Sequence, residues 1–138
     1  MSLFLPIKRA TLLVPSGADG DPDRKHLFVL LTDPADDGAG EVSVLMASLS
    51  SLRPGVPHDA SCILYAGDHS FVKRESYVVY QKARVESVDK ILRGVKAGQL
   101  IPHDPMESGI LARICKGLEE SRLTSSKVLK FYRSATGQ

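Results

Sequence analysis

His26-Leu27-Phe28-Val29-Leu30-Leu31-Thr32 carries apolar side chains at five consecutive positions, so it has no solvated face and reads as a central strand covered on both sides. Asp33-Pro34 stops it. Working outward, Ala10–Val14, Val42–Ser48, Cys62–Tyr65, Ser76–Lys82 and Arg84–Val88 are further apolar or alternating runs. They are separated by turn chemistry at Pro15-Ser16-Gly17, Gly38-Ala39-Gly40 and Arg53-Pro54-Gly55. Val42–Ser48 alternates more loosely and is expected to have one partly exposed face. Six short, closely spaced strands predict a small barrel or a strongly curved sheet.

The last third changes period. Asp104-Pro105-Met106-Glu107 reads as an N-cap, a proline at the first helical position and an acidic residue at N3. Ile110, Leu111, Ile114, Cys115 and Leu118 then form one apolar stripe. A second helix is expected from Thr124 or Ser125, carrying Val128, Leu129, Phe131 and Tyr132. The expected architecture is therefore α+β and mainly antiparallel, one domain over residues 1–138. Its β part covers about 8–100 and two C-terminal helices cover about 104–133.

A chain of 138 residues with 43% apolar and 25% charged content matches a single globular core. Its apolar runs fall far short of the roughly 20 residues a bilayer span needs. At the amino terminus the charges follow the apolar residues, the reverse of a secretory signal. Cys62 and Cys115 are far apart and outside any Cys-x-x-Cys motif, so no disulfide framework or zinc cluster is indicated. A cytoplasmic setting is the expectation.

The net charge of +2 hides an asymmetry. Seven acidic residues lie between Asp19 and Glu41 against Arg24 and Lys25, and seven basic residues lie between Val72 and Leu100 against three acidic ones. A basic surface of this kind suits phosphate contacts, and a solvated β-ladder of alternating charge would read the same way.

Chemistry-bearing residues concentrate between His58 and Arg84, which holds two His/Asp pairs, a cysteine, hydroxyls and basic residues. His58-Asp59, Asp68-His69 and His103-Asp104 would make a metal or proton-transfer site if they converged. Local roles compete: Asp104 as a helix cap, Asp59 and Asp68 as turn formers. Cys62 opens an apolar run and is expected to be buried. Asp19-Gly20-Asp21-Pro22-Asp23 imitates a calcium loop, but Arg24 and Leu30 occupy the positions that need glycine and glutamate. No nucleophile elbow, phosphate-cradling loop or dinucleotide fingerprint occurs. Ser48-Leu49-Ser50-Ser51 sets hydroxyls at a strand end, where they can bind a phosphate oxygen or satisfy the turn backbone.

The order of these pieces is more specific than any of them. Asp23-Arg24-Lys25-His26 leads into a buried strand, the next strand ends in Ser50-Ser51, and Glu75-Ser76-Tyr77-Val78-Val79-Tyr80-Gln81-Lys82-Ala83-Arg84 precedes Ser87-Val88-Asp89-Lys90-Ile91-Leu92. Over about residues 20–93 this resembles the PemK/MazF family of toxin endoribonucleases. There a Gly-x-x-Arg-Pro turn enters a strand, a Thr-Ser pair follows the next, and a Ser-Val-Val strand precedes a Val-Asp-Lys segment.

The resemblance implies an SH3-like β-barrel, a homodimer with RNA along its groove, and an antitoxin protein as inhibitor. It also implies metal-independent cleavage by 2′-OH attack on phosphate, with no cofactor. The family arginine falls on Lys25, with Arg24 before it and His26 in place of the proline, while the Thr-Ser pair falls on Ser50 and Ser51. Lysine supplies charge without the bidentate fork of arginine. Arg24, Lys25, His26, Ser50 and Ser51 are therefore the catalytic candidates. Lys73, Arg74, Tyr77, Lys82 and Arg84 are the RNA-binding candidates. Tyr77 and Tyr80 are an odd step apart and cannot both face one side of a regular strand. The alternative class is a non-catalytic β-barrel module binding nucleic acid or a protein partner. A metal-dependent hydrolase built on His58, Asp59, Asp68, His69 and His103 is a third.

Overall fold

The computed structural model describes residues 3–15 and 25–138, in which strands and helices follow the hydrophobic pattern closely. The strands are β1 (Thr11–Pro15), β2 (Lys25–Leu30), β3 (Ala35–Asp36), β4 (Val42–Ser51), β5 (Ile63–Leu64), β6 (Ser76–Val78), β7 (Arg84–Ser87) and β8 (Ile101–His103). The helices are α1 (Val88–Lys96), α2 (Ser108–Glu120) and α3 (Ser126–Ala135). The class is thus α+β, with an antiparallel eight-stranded sheet ordered β5-β6-β4-β2-β1-β8 and with β3 and β7 also paired to β4. Among the described residues no ladder joins β5 to β8, so the sheet is not closed into a barrel.

The five-residue apolar run behaves as its pattern predicts. Leu27, Val29 and Leu31 enter the main core with Leu45, Ala47 and Leu49 of β4. Leu30 enters a second core on the opposite face with Leu12, Val44, Met46 and Ile91. α2 and α3 cover the first face through Leu111, Ile114, Leu118, Val128 and Phe131.

β4 departs from its expected half-exposed character, since every residue from Ser43 to Leu49 is buried. The cause is α1, a helix not anticipated in the sequence. The Ser87 hydroxyl caps it by accepting from the Lys90 amide at 3.2 Å. Ile91 then seals the second face. With Leu27–Leu31 and β4 both covered, three helices are needed where two were expected.

Two boundaries move for tertiary reasons. The expected strand Ser76–Lys82 ends at Val78 and becomes a 3-10 turn at Tyr80–Lys82 before β7 begins. The turn swings Tyr80 wholly into the core, where its hydroxyl donates to the Ile114 carbonyl at 2.6 Å. Burial pushes this phenol far above its ordinary range, so it stays a neutral donor. α2 is capped by Glu107 and not by Asp104: the Glu107 carboxylate accepts from the Gly109 and Ile110 amides. Asp104 is held elsewhere, its carbonyl accepting from the Thr11 hydroxyl at 2.6 Å. The chain also stays extended through buried Met106, whose amide donates to the Arg9 carbonyl at 2.8 Å.

Gly117 of α2 is the close-approach position opposite Tyr80. A Cβ there would lie 2.3 Å from Tyr80 Oη and 3.1 Å from Cys62 Cβ. Gly117→Ala is expected to destabilise by about 1–3 kcal/mol through overpacking, outweighing the roughly 1 kcal/mol by which alanine favours a helix. Urea titration of Gly117→Ala, Tyr80→Phe and the double variant should give less than the sum of the single losses. Full additivity would mean that the two side chains do not compete for this space.

Candidate functional site

The ladder between β2 and β4 pairs Phe28 with Ser48. Continued in the same register, it sets His26 across from Ser50 and Lys25 across from Ser51. On the other flank of β4, β6 pairs Ser50 with Tyr77 and Ser51 with Ser76. Apolar burial ceases at this end of the sheet, where Leu27 and Leu49 give way to charged and hydroxyl-bearing residues.

A cavity of about 300 Å³ opens there, between the start of β2, the end of β4 and the segment Phe71–Arg74. Leu27, Leu49, Phe71 and Val72 form its apolar part. Its polar lining is Lys25, His26, Ser50, Ser51, Arg53, Lys73, Arg74 and Ser76, with no carboxylate among these described residues. Four cations around hydroxyl groups, with an imidazole beside them, favour an anion with several acceptor oxygens.

The imidazole has a defined proton arrangement. His26 Nδ1 lies 3.3 Å from the Leu49 carbonyl, which can only accept, so Nδ1 carries the hydrogen of the neutral ring. Nε2 is then the acceptor, available to take a proton from a ligand or, once protonated, to give one back.

Lys25, His26, Ser50 and Ser51 are therefore brought together, as are Lys73 and Arg74 from the RNA-binding candidates. Arg24 lies outside the described residues. The remaining candidates diverge from the cavity. Tyr77 is half-buried against His58, with ring centres 5.5 Å apart. Arg84 stacks over the Phe28 ring at 5.0 Å and lies 3.8 Å from Glu86, while Lys82 is exposed on the 3-10 turn. Arg53 and Ser76 are cavity residues that the sequence reading passed over. Arg53 stands two positions after Ser51, in a turn whose Pro54-Gly55 is the stronger local signal.

The His58–His69 segment does not gather into a metal site: among the described residues no group of three or more His, Cys, Asp or Glu side chains could hold an ion. The Asp59 carboxylate instead accepts from the Ser61 amide at 2.9 Å and from the Ser61 and Ser121 hydroxyls at 2.6 Å each. Asp68 accepts from the Tyr65 amide at 2.8 Å and faces Arg113 at 3.8 Å. Cys62 is buried, and burial raises its thiol above the ordinary range, which suits a packing role and not a nucleophile.

Comparison with family models, with curated proteins and with solved structures returned no match. No described helix is long and apolar enough to cross a membrane.

Two expectations follow from this geometry. Arg53→Ala and Arg74→Ala should each weaken binding of a single-stranded oligonucleotide, and each should flatten the log-affinity against log-salt slope by about 0.7. Unchanged slopes would exclude these residues from phosphate contact. For Asp59, partial burial raises the carboxyl, but the Ser121 and Ser61 hydrogen bonds outweigh it and hold the group below its ordinary value. Its stabilisation is present above about pH 4 and is lost as pH falls through the lowered folded value. The difference in melting temperature between wild type and Asp59→Asn should therefore shrink on acidification, as followed by circular dichroism.

Proposed function

We propose that this chain is a PemK/MazF-like, metal-independent endoribonuclease that binds RNA phosphates in the cavity at the β2–β4 end of the sheet. One observation carries the reading: Lys25, His26, Ser50 and Ser51, chosen for their place in a motif order, line one cavity with Arg53, Lys73 and Arg74 and no described carboxylate. The curled sheet around β4 is read as an opened SH3-like barrel. A homodimer, an antitoxin partner and a cytoplasmic setting belong to the same proposal.

In the proposed reaction, His26 Nε2 takes the proton of the ribose 2′-OH as that oxygen attacks the adjacent phosphorus. The new 2′-O–P bond forms and the P–O5′ bond breaks, giving a cyclic phosphate and a 5′-hydroxyl. Lys25 faces the phosphorane charge and delivers the proton that O5′ requires, with Arg24 as the neighbouring cation in sequence. Ser50 and Ser51 donate hydrogen bonds to the non-bridging oxygens. Charge from Arg53, Lys73 and Arg74 holds the strand and is stronger in the partly water-excluded cavity than on an open surface.

The cation set supports a second reading on its own, a non-catalytic nucleic-acid-binding module, because phosphate binding needs charge and not a proton relay. Product analysis separates the two. Wild-type protein in excess chelator should convert RNA, but not the same sequence in DNA, to fragments ending in a cyclic phosphate. Lys25→Ala with Arg24→Ala, or His26→Ala, should lower the rate by about a hundred- to ten-thousand-fold. Binding without any cyclic-phosphate product would establish the binding module, and cleavage unaffected by these substitutions would remove the assigned roles.

A further inference from the structure

The cavity wall formed by Phe71–Arg74 carries two of its four cations, so whatever fixes that wall sets the geometry of anion binding. A buried histidine is one of its anchors. His69 is only 5% exposed and lies behind the wall, outside the cavity lining. The Phe71 amide donates to its Nδ1 at 3.0 Å, and its Nε2 lies 2.6 Å from the Asp104 carbonyl. Since an amide N–H can only donate and a carbonyl can only accept, the ring is neutral with its hydrogen on Nε2. An added proton at Nδ1 would meet the Phe71 N–H, donor against donor, while the Nε2 bond to Asp104 would survive.

We propose that His69 is a positioning residue for this site: its neutral ring anchors Phe71 and thereby holds Lys73 and Arg74 toward the bound anion, and its protonation releases them. The inference rests on reading the cavity as a phosphate site and adds to that reading a regulation by pH. The anchor is one of a short series along the wall. The Val72 amide donates to the His69 carbonyl and its carbonyl accepts from the Gly67 amide. Nearer β6 the Arg74 carbonyl accepts from the Ser76 hydroxyl and the Glu75 carbonyl from the Leu52 amide, both at 3.0 Å.

The charged groups facing the ring define its electrostatics. His103 of β8 lies 5.2 Å away between ring centres, and Asp68, the preceding residue, is paired with Arg113 of α2. The Asp104 carboxylate accepts from the Ser70 hydroxyl at 2.5 Å. That hydrogen bond, opposed by partial desolvation and aided by His103 and His69, keeps the carboxyl below its usual range, so Asp104 stands beside the ring as a carboxylate. Two effects of opposite sign meet in the cavity on acidification. A proton on His26 adds charge and strengthens anion binding; a proton on His69 frees the wall and weakens it.

The sign separates them. His69→Asn keeps an acceptor at the Nδ1 position for the Phe71 amide, an Asx-type turn, but cannot take up a proton. Affinity for a 2′-deoxy oligonucleotide, which cannot be cleaved, is measured by fluorescence anisotropy at constant salt from about pH 8 to about pH 5, the interval in which histidine exchanges its proton. Wild-type affinity relative to His69→Asn should fall by about fivefold across this range, the effect of one hydrogen bond. In ligand-free wild-type protein, the Lys73 and Arg74 amide resonances should shift in step with the His69 ring signals.

The same pH dependence in His69→Asn, or Lys73 and Arg74 amides that stay still while the His69 ring titrates, would overturn the proposal. The nuclear magnetic resonance arm needs neither the variant nor any ligand. A protein that binds no oligonucleotide would sink the function proposed above, yet coupling of ring and wall would still be decided by the amide shifts.

Discussion

Two-sided burial of β4 is the constraint on which the rest of the molecule depends. This ten-residue strand pairs with β2 and β3 on one flank and with β7 and β6 on the other. Its odd positions enter one core and its even positions another. A strand used in this way cannot shift register, because a slip of one residue would exchange both sets of side chains between two differently shaped cores. The Tyr80–Lys82 turn absorbs the offset between the β6 and β7 ladders, and α1 exists in the fold to cover the second face.

The candidate site is the place where that arrangement runs out. Beyond Leu27 and Leu49 neither strand has apolar side chains to bury, so the ladder ends in Lys25, His26, Ser50 and Ser51. Polar groups there lie against an apolar floor and beside one another without joining the core, a setting that strengthens their interaction with an anion relative to open water. Loops supply the remainder. Arg53 comes from the turn after β4 and Phe71–Arg74 from the long segment before β6, whose fold is tied by His69 to the approach to α2.

Legibility followed the range of the interaction. Leu27–Leu31 announced its two-sided burial because the information lay within five consecutive residues. Val42–Ser48 misled, since Ser43 on one face and Ser48 on the other look like solvated positions until the helices and neighbouring strands are seen to cover both faces of β4. Asp104 read as a cap through its spacing to Pro105 and Glu107, yet its carbonyl is claimed by Thr11, a partner 93 positions away. Tyr80 looked like a strand residue beside Tyr77, and only a hydrogen bond to α2 shows why the strand stops before it.

From the order of residues alone came the α+β class, the run of strands ahead of two of the three helices, the central place of β2 and the pairing of Lys25 and His26 with Ser50 and Ser51 as one candidate set. Such features depend on local periodicity and on motif order, both written along the chain. Tertiary structure alone decided that the sheet stays open and that α1 covers β4. It also brought Arg53, Lys73 and Arg74 to the same cavity and turned the histidines away from a metal site, leaving His69 as an anchor. Each of these depends on which distant segment satisfies a buried face or a backbone donor, and residue spacing does not encode that choice.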